Sequence, residues 1–133
     1  MNKPLIFLIA GENSGDLLGA NLMKSITAKA KDTVRFSGVG GPEMIKAGLT
    51  TLFPMEDLAV MGVFEVVPRL PLLLKRINQT AYEVERLGVD VLVTIDAPDF
   101  CFRVLKKLRS KGVKVPAVHY VAPSVWAWRP GRA

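Results

Sequence analysis

The sequence contains a single cysteine and a single histidine among its 133 residues. Cys101 therefore has no partner within the chain for a disulfide bond, which fits a reducing compartment. His119 alone cannot build a metal cluster, and we predict no metal or other cofactor. No apolar run approaches the roughly 20 residues of a membrane span. The short apolar run 5–10 is better explained as a buried strand than as a secretion signal.

Hydrophobic residues make up half of the chain, which is enough to build the core of one domain over residues 1–133. Lys and Arg number 18 and Asp and Glu number 12, so the formal net charge is +6. This excess favours an anionic partner such as phosphate, an anionic membrane or nucleic acid. Nucleic acid is not expected, because basic and aromatic residues do not interleave as they do in RNA-binding motifs.

Apolar runs alternate with segments of helical periodicity along the chain. Strands are predicted over 5–10, 34–39, 51–53, 89–95 and 115–121, and helices over 16–31, 42–47, 72–87 and 100–111. Because the clearest strands are apolar throughout, the pattern predicts an α/β fold, a Rossmann-like parallel sheet with helices on both faces. No helix is predicted after the last strand, so we expect the domain to be incomplete and part of a longer protein.

Ligands of open parallel sheets bind beyond the carboxyl ends of the strands. The predicted loops at that edge are 11–16, 38–42, 96–99 and 122–128. In the first loop, glycines such as Gly15 let backbone N–H groups approach an anion, although Ser14 alternatively caps the helix. Glu12 is better suited to accept a hydrogen bond from a sugar hydroxyl. The loop is neither G-x-G-x-x-G nor a Walker loop, which argues against dinucleotide and P-loop sites.

Asp96 ends an apolar strand, and such surroundings raise the pKa of a carboxyl group and favour a general base. Alternatively, Asp96 only hydrogen-bonds the turn that follows. Asp99 stands before a helix and is predicted to be its N-cap. His119 is expected to be a core residue. A triad of Ser14, His119 and Asp96 is disfavoured, because the loop around Ser14 lacks the spacing of a nucleophile elbow.

Two other stretches are rich in apolar or aromatic residues. The aromatic residues Trp126 and Trp128 stand beside Arg129 and Arg132, and this combination suits a sugar platform, a membrane-interface anchor or ordinary packing. The segment 58–74 has more apolar residues than one buried face needs, among them Phe64, Val66, Val67, Leu70, Leu73 and Leu74. Because Arg69, Lys75 and Arg76 lie beside it, this segment favours contact with an anionic membrane or acyl chains. The alternatives are a buried loop and helix start, or a homodimer contact.

Five motifs, in their usual order and spacing, resemble the lipid-A-disaccharide synthases. They are Gly11-Glu12-x-Ser14-Gly15-Asp16, Gly40-Gly41-Pro42-x-Met44, Leu58-Ala59-Val60-Met61-Gly62, Ile95-Asp96-Ala97-Pro98-Asp99-Phe100 and His119-Tyr120-Val121-x-Pro123-Ser124-Val125-Trp126-Ala127-Trp128-Arg129. The resemblance covers essentially the whole chain. Asn13 is a small departure, since the family more often has Thr, Ser or Ala there.

The resemblance implies the N-terminal, acceptor-side half of a two-domain B-type glycosyltransferase. Such an enzyme transfers 2,3-diacylglucosamine from its UDP derivative to 2,3-diacylglucosamine 1-phosphate, with inversion and without a metal. The products are UDP and the β-1,6 disaccharide of lipid A. The resemblance also implies that Asp96 is the family's essential aspartate, and that Glu12, Ser14 and Gly15 form its glycine-rich loop.

The same resemblance implies a cytoplasmic protein, peripheral at the inner face of the inner membrane. It places most of the UDP site in a C-terminal domain outside this chain, so we expect the chain alone to be inactive. Two other functions remain open from the residues themselves. They are another sugar-nucleotide enzyme on this architecture, such as an epimerase, and a non-catalytic lipid-binding module.

Overall fold

A computed structural model describes residues 3–31, 33–58 and 70–120 of the chain. The strands are β1 (Leu5–Ile9), β2 (Arg35–Val39), β3 (Thr50–Thr51), β4 (Val91–Thr94) and β5 (Ala117–His119). The helices discussed below are α1 (Asn13–Ala30), α2 (Pro42–Lys46), α3 (Leu70–Leu87) and α4 (Pro98–Ser110). Among the described residues, no helix is both long enough and apolar enough to cross a membrane.

The strands form one parallel sheet with the order β3-β2-β1-β4-β5. Strand β1 is central, and its residue Ile9 is in register with both Val39 and Thr94. The chain leaves β1 towards β2 and β3 and then returns to β4 on the other side of β1. This reversal opens a crevice at the carboxyl ends of β1 and β4, where ligands of such sheets bind.

Helices cover both faces of the sheet, as predicted. Helix α1 joins β1 to β2, and α4 joins β4 to β5 in the opposite direction across the sheet. Right-handed crossovers in opposite directions place their helices on opposite faces. Helix α1 packs against α2, and α3 packs against α4. The Rossmann-like α/β architecture predicted from the sequence is therefore confirmed.

The core lies on both sides of β1, which explains why this strand is apolar throughout. Phe7, Leu8 and Ile9 are fully buried although neighbouring side chains point to opposite faces. Helix α4 contributes Val104 and Leu108, both also fully buried. The periodic apolar positions of the helices thus face the sheet, as their spacing indicated.

Helices α1, α3 and α4 begin earlier than predicted, and at α1 and α4 this corrects a predicted cap. Helix α1 begins at Asn13 with Glu12 as its N-cap, so Ser14 lies inside the first turn and does not cap the helix. Helix α4 begins at Pro98 with Ala97 as its N-cap, in a left-handed conformation. The prediction for Asp99 was therefore wrong. Its exposed carboxylate pairs within the helix with Arg103, at 3.4 Å.

A buried carboxylate connects the first two helices. Asp16 belongs to the first turn of α1 and is only 2% exposed. It accepts hydrogen bonds from the backbone N–H groups of Gly41, Glu43 and Met44, each at 2.9 Å. These groups lie at the amino end of α2, where the helix itself supplies no acceptors. Asp16 thus caps α2 and fixes the loop after β2 to the helix after β1.

We predict that Asp16→Ala lowers the free energy of unfolding by about 2–4 kcal/mol, because three buried N–H donors lose their acceptor. Urea unfolding followed by circular dichroism measures this loss. Asp99→Ala is the matched control, since its carboxylate also lies in the first turn of a helix but is 73% exposed. Its cost should stay within about 0.5 kcal/mol. Equal losses for the two variants would contradict the capping role of Asp16.

Candidate active site

The loops that follow β1 and β4 meet through the side chain of Asp96. One carboxylate oxygen of Asp96 accepts a hydrogen bond from the N–H of Gly11, and the other accepts from the N–H of Glu12 at 3.2 Å. Both donors immediately precede α1, so the carboxylate lies near the positive end of that helix dipole. The two strands that border the switch point are thereby joined at their carboxyl ends.

The glycines of the first loop are explained by this contact. A Cβ atom added at Gly15 would lie 2.0 Å from Oδ2 of Asp96, so the carboxylate would have to move to make room for it. A Cβ atom at Gly11 would lie 3.3 Å from Oδ1 of the same carboxylate. The structure therefore brings Gly15 and Asp96 together, and the glycine serves the close approach of the aspartate to α1.

Burial is the main cause that raises the pKa of Asp96 above its usual value. The hydrogen bond from the Gly11 N–H opposes this effect, because it favours the ionised form. The charge of Glu12 raises the pKa further, whereas the Glu12 N–H and His119 lower it. The net direction agrees with the expectation from the apolar strand and suits a carboxylate that accepts a proton.

A cavity of about 310 Å³ opens beside Asp96. It is lined by Ser14, Gly15, Leu17, Leu18, Asn21, Ile95 and Asp96. The lining of the cavity therefore combines polar side chains, such as Ser14 and Asp96, with apolar ones, such as Leu17 and Ile95. The sequence motifs did not indicate Leu17, Leu18 and Asn21 as site residues, although positions 14, 17, 18 and 21 have the i, i+3, i+4, i+7 spacing of one helix face.

A second cavity, of about 600 Å³, lies near the start of β1 and β2, at the opposite edge of the sheet. Its lining includes Arg35, Glu83 and Arg86. Arg86 pairs with Glu83 at 2.7 Å, and Arg35 donates to the backbone oxygen of Lys3 at 2.9 Å. These charged groups already have protein partners, so the smaller cavity beside Asp96 is the better candidate for a reaction site.

The histidine of β5 does not occupy the core. All three residues of β5 are exposed, because β5 is the edge strand of the described sheet. Nδ1 of His119 lies 2.8 Å from Oγ1 of Thr94 on the adjacent strand. The expectation that His119 is a core residue was therefore wrong, since single-strand periodicity does not reveal which strand forms an edge.

The thiol of Cys101 contacts the backbone of Asp96 and has a structural role. It is buried, and its thiol donates to the backbone oxygen of Asp96 at 3.3 Å. Burial, with a contribution from the charge of Asp96, raises the pKa of this thiol to about 12. A thiol that stays protonated at neutral pH is not a nucleophile. Among residues 3–31, 33–58 and 70–120, no group of three or more His, Cys, Asp or Glu residues could hold a metal ion.

Two residues predicted to contact lipid, Leu73 and Leu74 near the start of α3, differ in their exposure to solvent. Leu73 is 5% exposed and belongs to the core, so the prediction of a lipid contact was wrong for this residue. Leu74, in contrast, is 49% exposed. The predicted contacts Phe64, Val66 and Val67, with Arg69, lie outside the described residues, as does the side chain of Leu70. The predicted substrate-binding residues Trp126 and Arg129 also lie outside them.

Arg76 contacts the protein and does not extend into solvent. Its guanidinium pairs with Asp57 at 2.7 Å, donates to Gln79 at 2.8 Å and lies 4.6 Å from the centre of the Phe53 ring. The prediction that Arg76 supplies charge to a membrane surface was therefore wrong. Its contacts hold the residues before position 59 against α3.

Fold and site together define an open, Rossmann-like α/β domain with a half-buried carboxylate, Asp96, at its switch point. A solved structure, the glycotransferase of kitacinnamycin, shares this fold with a TM-score of 0.54 at 16% identity. The alignment covers 91% of this chain and 31% of that one. A family model described as lipid-A-disaccharide synthetase matches residues 6–133. The chain belongs to this family.

Relatives within the family are similar over essentially the whole chain. This chain is 58% identical over 133 residues to the lipid-A-disaccharide synthase of Rhodospirillum centenum. It is 54% identical over 128 residues to that of Nitrobacter hamburgensis. These alignments cover 100% and 96% of this chain but only 33% and 32% of the relatives. The chain thus spans about a third of the length of the curated relatives it matches.

We predict that Gly15→Ala destabilises the chain by about 1–3 kcal/mol, because the new methyl group must displace the Asp96 carboxylate. This loss would occur although alanine favours a helix over glycine by about 1 kcal/mol. Urea unfolding measures it. Gly19→Ala in the same helix is the control, since its methyl group meets the flexible ends of Met44 and Ile95.

A double-mutant cycle separates the contact with Asp96 from other effects of the methyl group. In an Asp96→Ala background the obstructing carboxylate is absent, so Gly15→Ala should cost much less than in the wild type. An equal cost in both backgrounds would show that another neighbour of Gly15 sets the requirement for glycine.

Proposed function

We propose that this chain is the acceptor-side part of a lipid-A-disaccharide synthase, the N-terminal half of a B-type glycosyltransferase. The reaction transfers 2,3-diacylglucosamine from UDP-2,3-diacylglucosamine to the 6-hydroxyl of 2,3-diacylglucosamine 1-phosphate. The observation that carries the proposal is the half-buried Asp96 at the switch point, in contact with the glycine-rich loop and with an open cavity. Membership of the family supplies the substrates.

Asp96 is the general base of this proposal. Each of its oxygens accepts one backbone N–H and keeps a second lone pair that can receive a proton. As the acceptor hydroxyl attacks the anomeric carbon, its proton passes to Asp96 and a new C–O bond forms. The bond from the anomeric carbon to UDP breaks, and UDP leaves with the electron pair. Attack opposite to the leaving group inverts the anomeric centre.

The first loop assists by binding the sugars and the negative charge. Glu12 is exposed beside Asp96 and accepts hydrogen bonds from sugar hydroxyls. The first turn of α1, which includes Ser14 and Gly15, presents backbone N–H groups that the helix does not use. Such groups stabilise negative charge as it develops on a phosphate. Trp126 and Arg129 complete the substrate-binding set in this proposal.

The acylated substrates require a lipid surface near the same edge of the sheet. Helix α3 ends just before β4 begins, so its amino end lies at the carboxyl edge of the sheet, as does that of α4. Leu74 and Phe102 each lie one turn into these neighbouring helices and are 49% and 64% exposed. Exposed Lys75 and Lys106 lie beside them.

This combination of apolar and basic side chains suits the surface of an anionic membrane. We therefore propose a cytoplasmic protein that binds peripherally at the inner face of the inner membrane. Residues 64–70 extend this surface in the proposal, and Leu74 and Phe102 form its described part.

We predict that Asp96→Asn in the full-length enzyme lowers kcat by about 10²–10⁴-fold, because the amide cannot accept the proton. Formation of the disaccharide from the two acylated sugars is the measurement, and a joined product excludes an epimerase. Asp99→Asn is the control and should retain most of the turnover, since this exposed carboxylate pairs with Arg103 of its own helix. Thermal unfolding of both variants separates loss of the base from loss of the fold. Similar losses of kcat would exclude Asp96 as the base.

We predict that the wild-type chain floats with anionic liposomes, and floats less as salt rises, since salt screens basic side chains near anionic lipid. A variant with Leu74 and Phe102 changed to Ser should float less while keeping its circular dichroism spectrum. Tyr82→Ser is the control, because Tyr82 is 58% exposed on α3 but two turns further from the site edge. If Tyr82→Ser reduces flotation as much, the lipid surface lies elsewhere on the chain.

A further inference from the structure

The cavity beside Asp96 extends along one side of α1. Ser14 lies in the first turn of this helix and Asn21 two turns further on, and both line the cavity. Because a helix rises about 1.5 Å per residue, this side of α1 spans about 10 Å. A hydroxyl that gives its proton to Asp96 needs only the end near Ser14 and Gly15. The remaining length can hold another part of the same ligand.

Between its two polar ends the cavity has an apolar lining, formed by Leu17, Leu18 and Ile95. Ile95 is buried and Leu18 is half-buried, so both also belong to the packing of the domain. Leu17 is different, because 54% of this large apolar residue is exposed. A ligand that covered Leu17 would remove apolar surface from water, which favours binding.

The charges around the cavity argue against a phosphate along the side of α1. None of the described lining residues is basic, and Asp96 is the only one of them with an ionisable side chain. A half-buried carboxylate repels a phosphate or a pyrophosphate. The unpaired N–H groups of the first turn point along the helix axis, so they serve an anion at the end of α1. The side of α1 therefore suits an uncharged, apolar group.

We propose that the side of α1 binds the hydrocarbon of an acyl chain while the sugar that carries this chain lies at Asp96. Leu17 covers the chain and Asn21 marks its far end, so both are specificity-determining residues. The inference rests on the proposed function, from which it takes the acylated sugars and the place of reaction. The cavity volume of about 310 Å³ and its mainly apolar lining with a few polar groups are typical of small-molecule sites.

The first test measures binding without turnover in the 133-residue chain. Methyl groups of Leu and Ile are labelled with ¹³C, and the signals of Leu17 and Ile95 are assigned with Leu17→Ser and Ile95→Val. Both signals should shift when N-octanoylglucosamine is added below its micelle concentration. N-acetylglucosamine, the same sugar without the long chain, should leave them unchanged. No response, or equal responses to the two sugars, overturns the inference.

The second test compares kcat/KM of the full-length enzyme for long-chain substrates and for acetylated analogues. Leu17→Ser should lower kcat/KM for the long chain by about 10-fold, because apolar contacts in the pocket are lost, and should change it little for the acetylated analogue. Ile45→Ser is the matched control, since Ile45 is 47% exposed on α2 and is not among the described lining residues. Equal losses for long and short chains would mean that Leu17 does not contact the chain.

Asn21 is tested through a gain of specificity, which a damaged fold cannot produce. Asn21→Leu extends the apolar lining, so the ratio of kcat/KM for long chains to that for short chains should rise. Asn21→Ser keeps a polar group at this position and should leave the ratio close to that of the wild type. A ratio that does not rise in the Leu variant removes Asn21 from the proposed subsite.

The donor and the acceptor both carry acyl chains, so the chain length is varied on one substrate at a time. The substrate whose chain length loses its effect in Leu17→Ser is the one that occupies the cavity. If the wild-type dependence on chain length persists for both substrates, the inference is wrong.

The measurements also separate this inference from the proposed function. If full-length Asp96→Asn keeps its turnover, the proposed function fails at that residue, although the response to N-octanoylglucosamine can still be observed. If Asp96→Asn is inactive but Leu17→Ser keeps the chain-length preference of the wild type, only the acyl-chain subsite is excluded. Thermal unfolding of each variant shows that the comparison is made on folded protein.

Discussion

The hydrogen bonds from the backbone before α1 to the carboxylate of Asp96 hold the candidate site together. They join the loops after β1 and β4, where the strand order reverses, and so fix the position of these two loops relative to each other. The close approach requires glycine at position 15, and it buries the carboxylate enough to raise its pKa. Architecture and proposed chemistry therefore depend on the same contact.

Two carboxylates near this edge of the sheet differ in how many partners they have. Asp16 is buried and accepts three backbone N–H groups, which leaves it a structural cap for α2. Asp96 accepts two and also lines an open cavity. A carboxylate with unused lone pairs and a raised pKa is better suited to receive a proton than one surrounded by donors.

Apolar side chains are exposed at the same edge of the sheet on both faces. Leu17 lies on α1 beside the cavity, and Leu74 and Phe102 lie on α3 and α4. Large exposed apolar groups next to a candidate site are typical of surfaces that a ligand or a membrane covers. The acylated sugars of the proposed function, whose chains stay close to lipid, suit this arrangement.

The alternation of apolar strands and periodic helices determined the α/β fold by itself, because buried parallel strands and amphipathic helices have distinct local patterns. The loop motifs likewise indicated Asp96 and the glycine-rich loop. Only the tertiary structure decided that β5 is the edge strand of the described sheet, with an exposed His119, and that Leu73 and Arg76 face the protein. It also showed that Asp16 caps a helix other than its own. Strand order, helix packing and long-range hydrogen bonds join residues far apart in the chain, so no local pattern contains them.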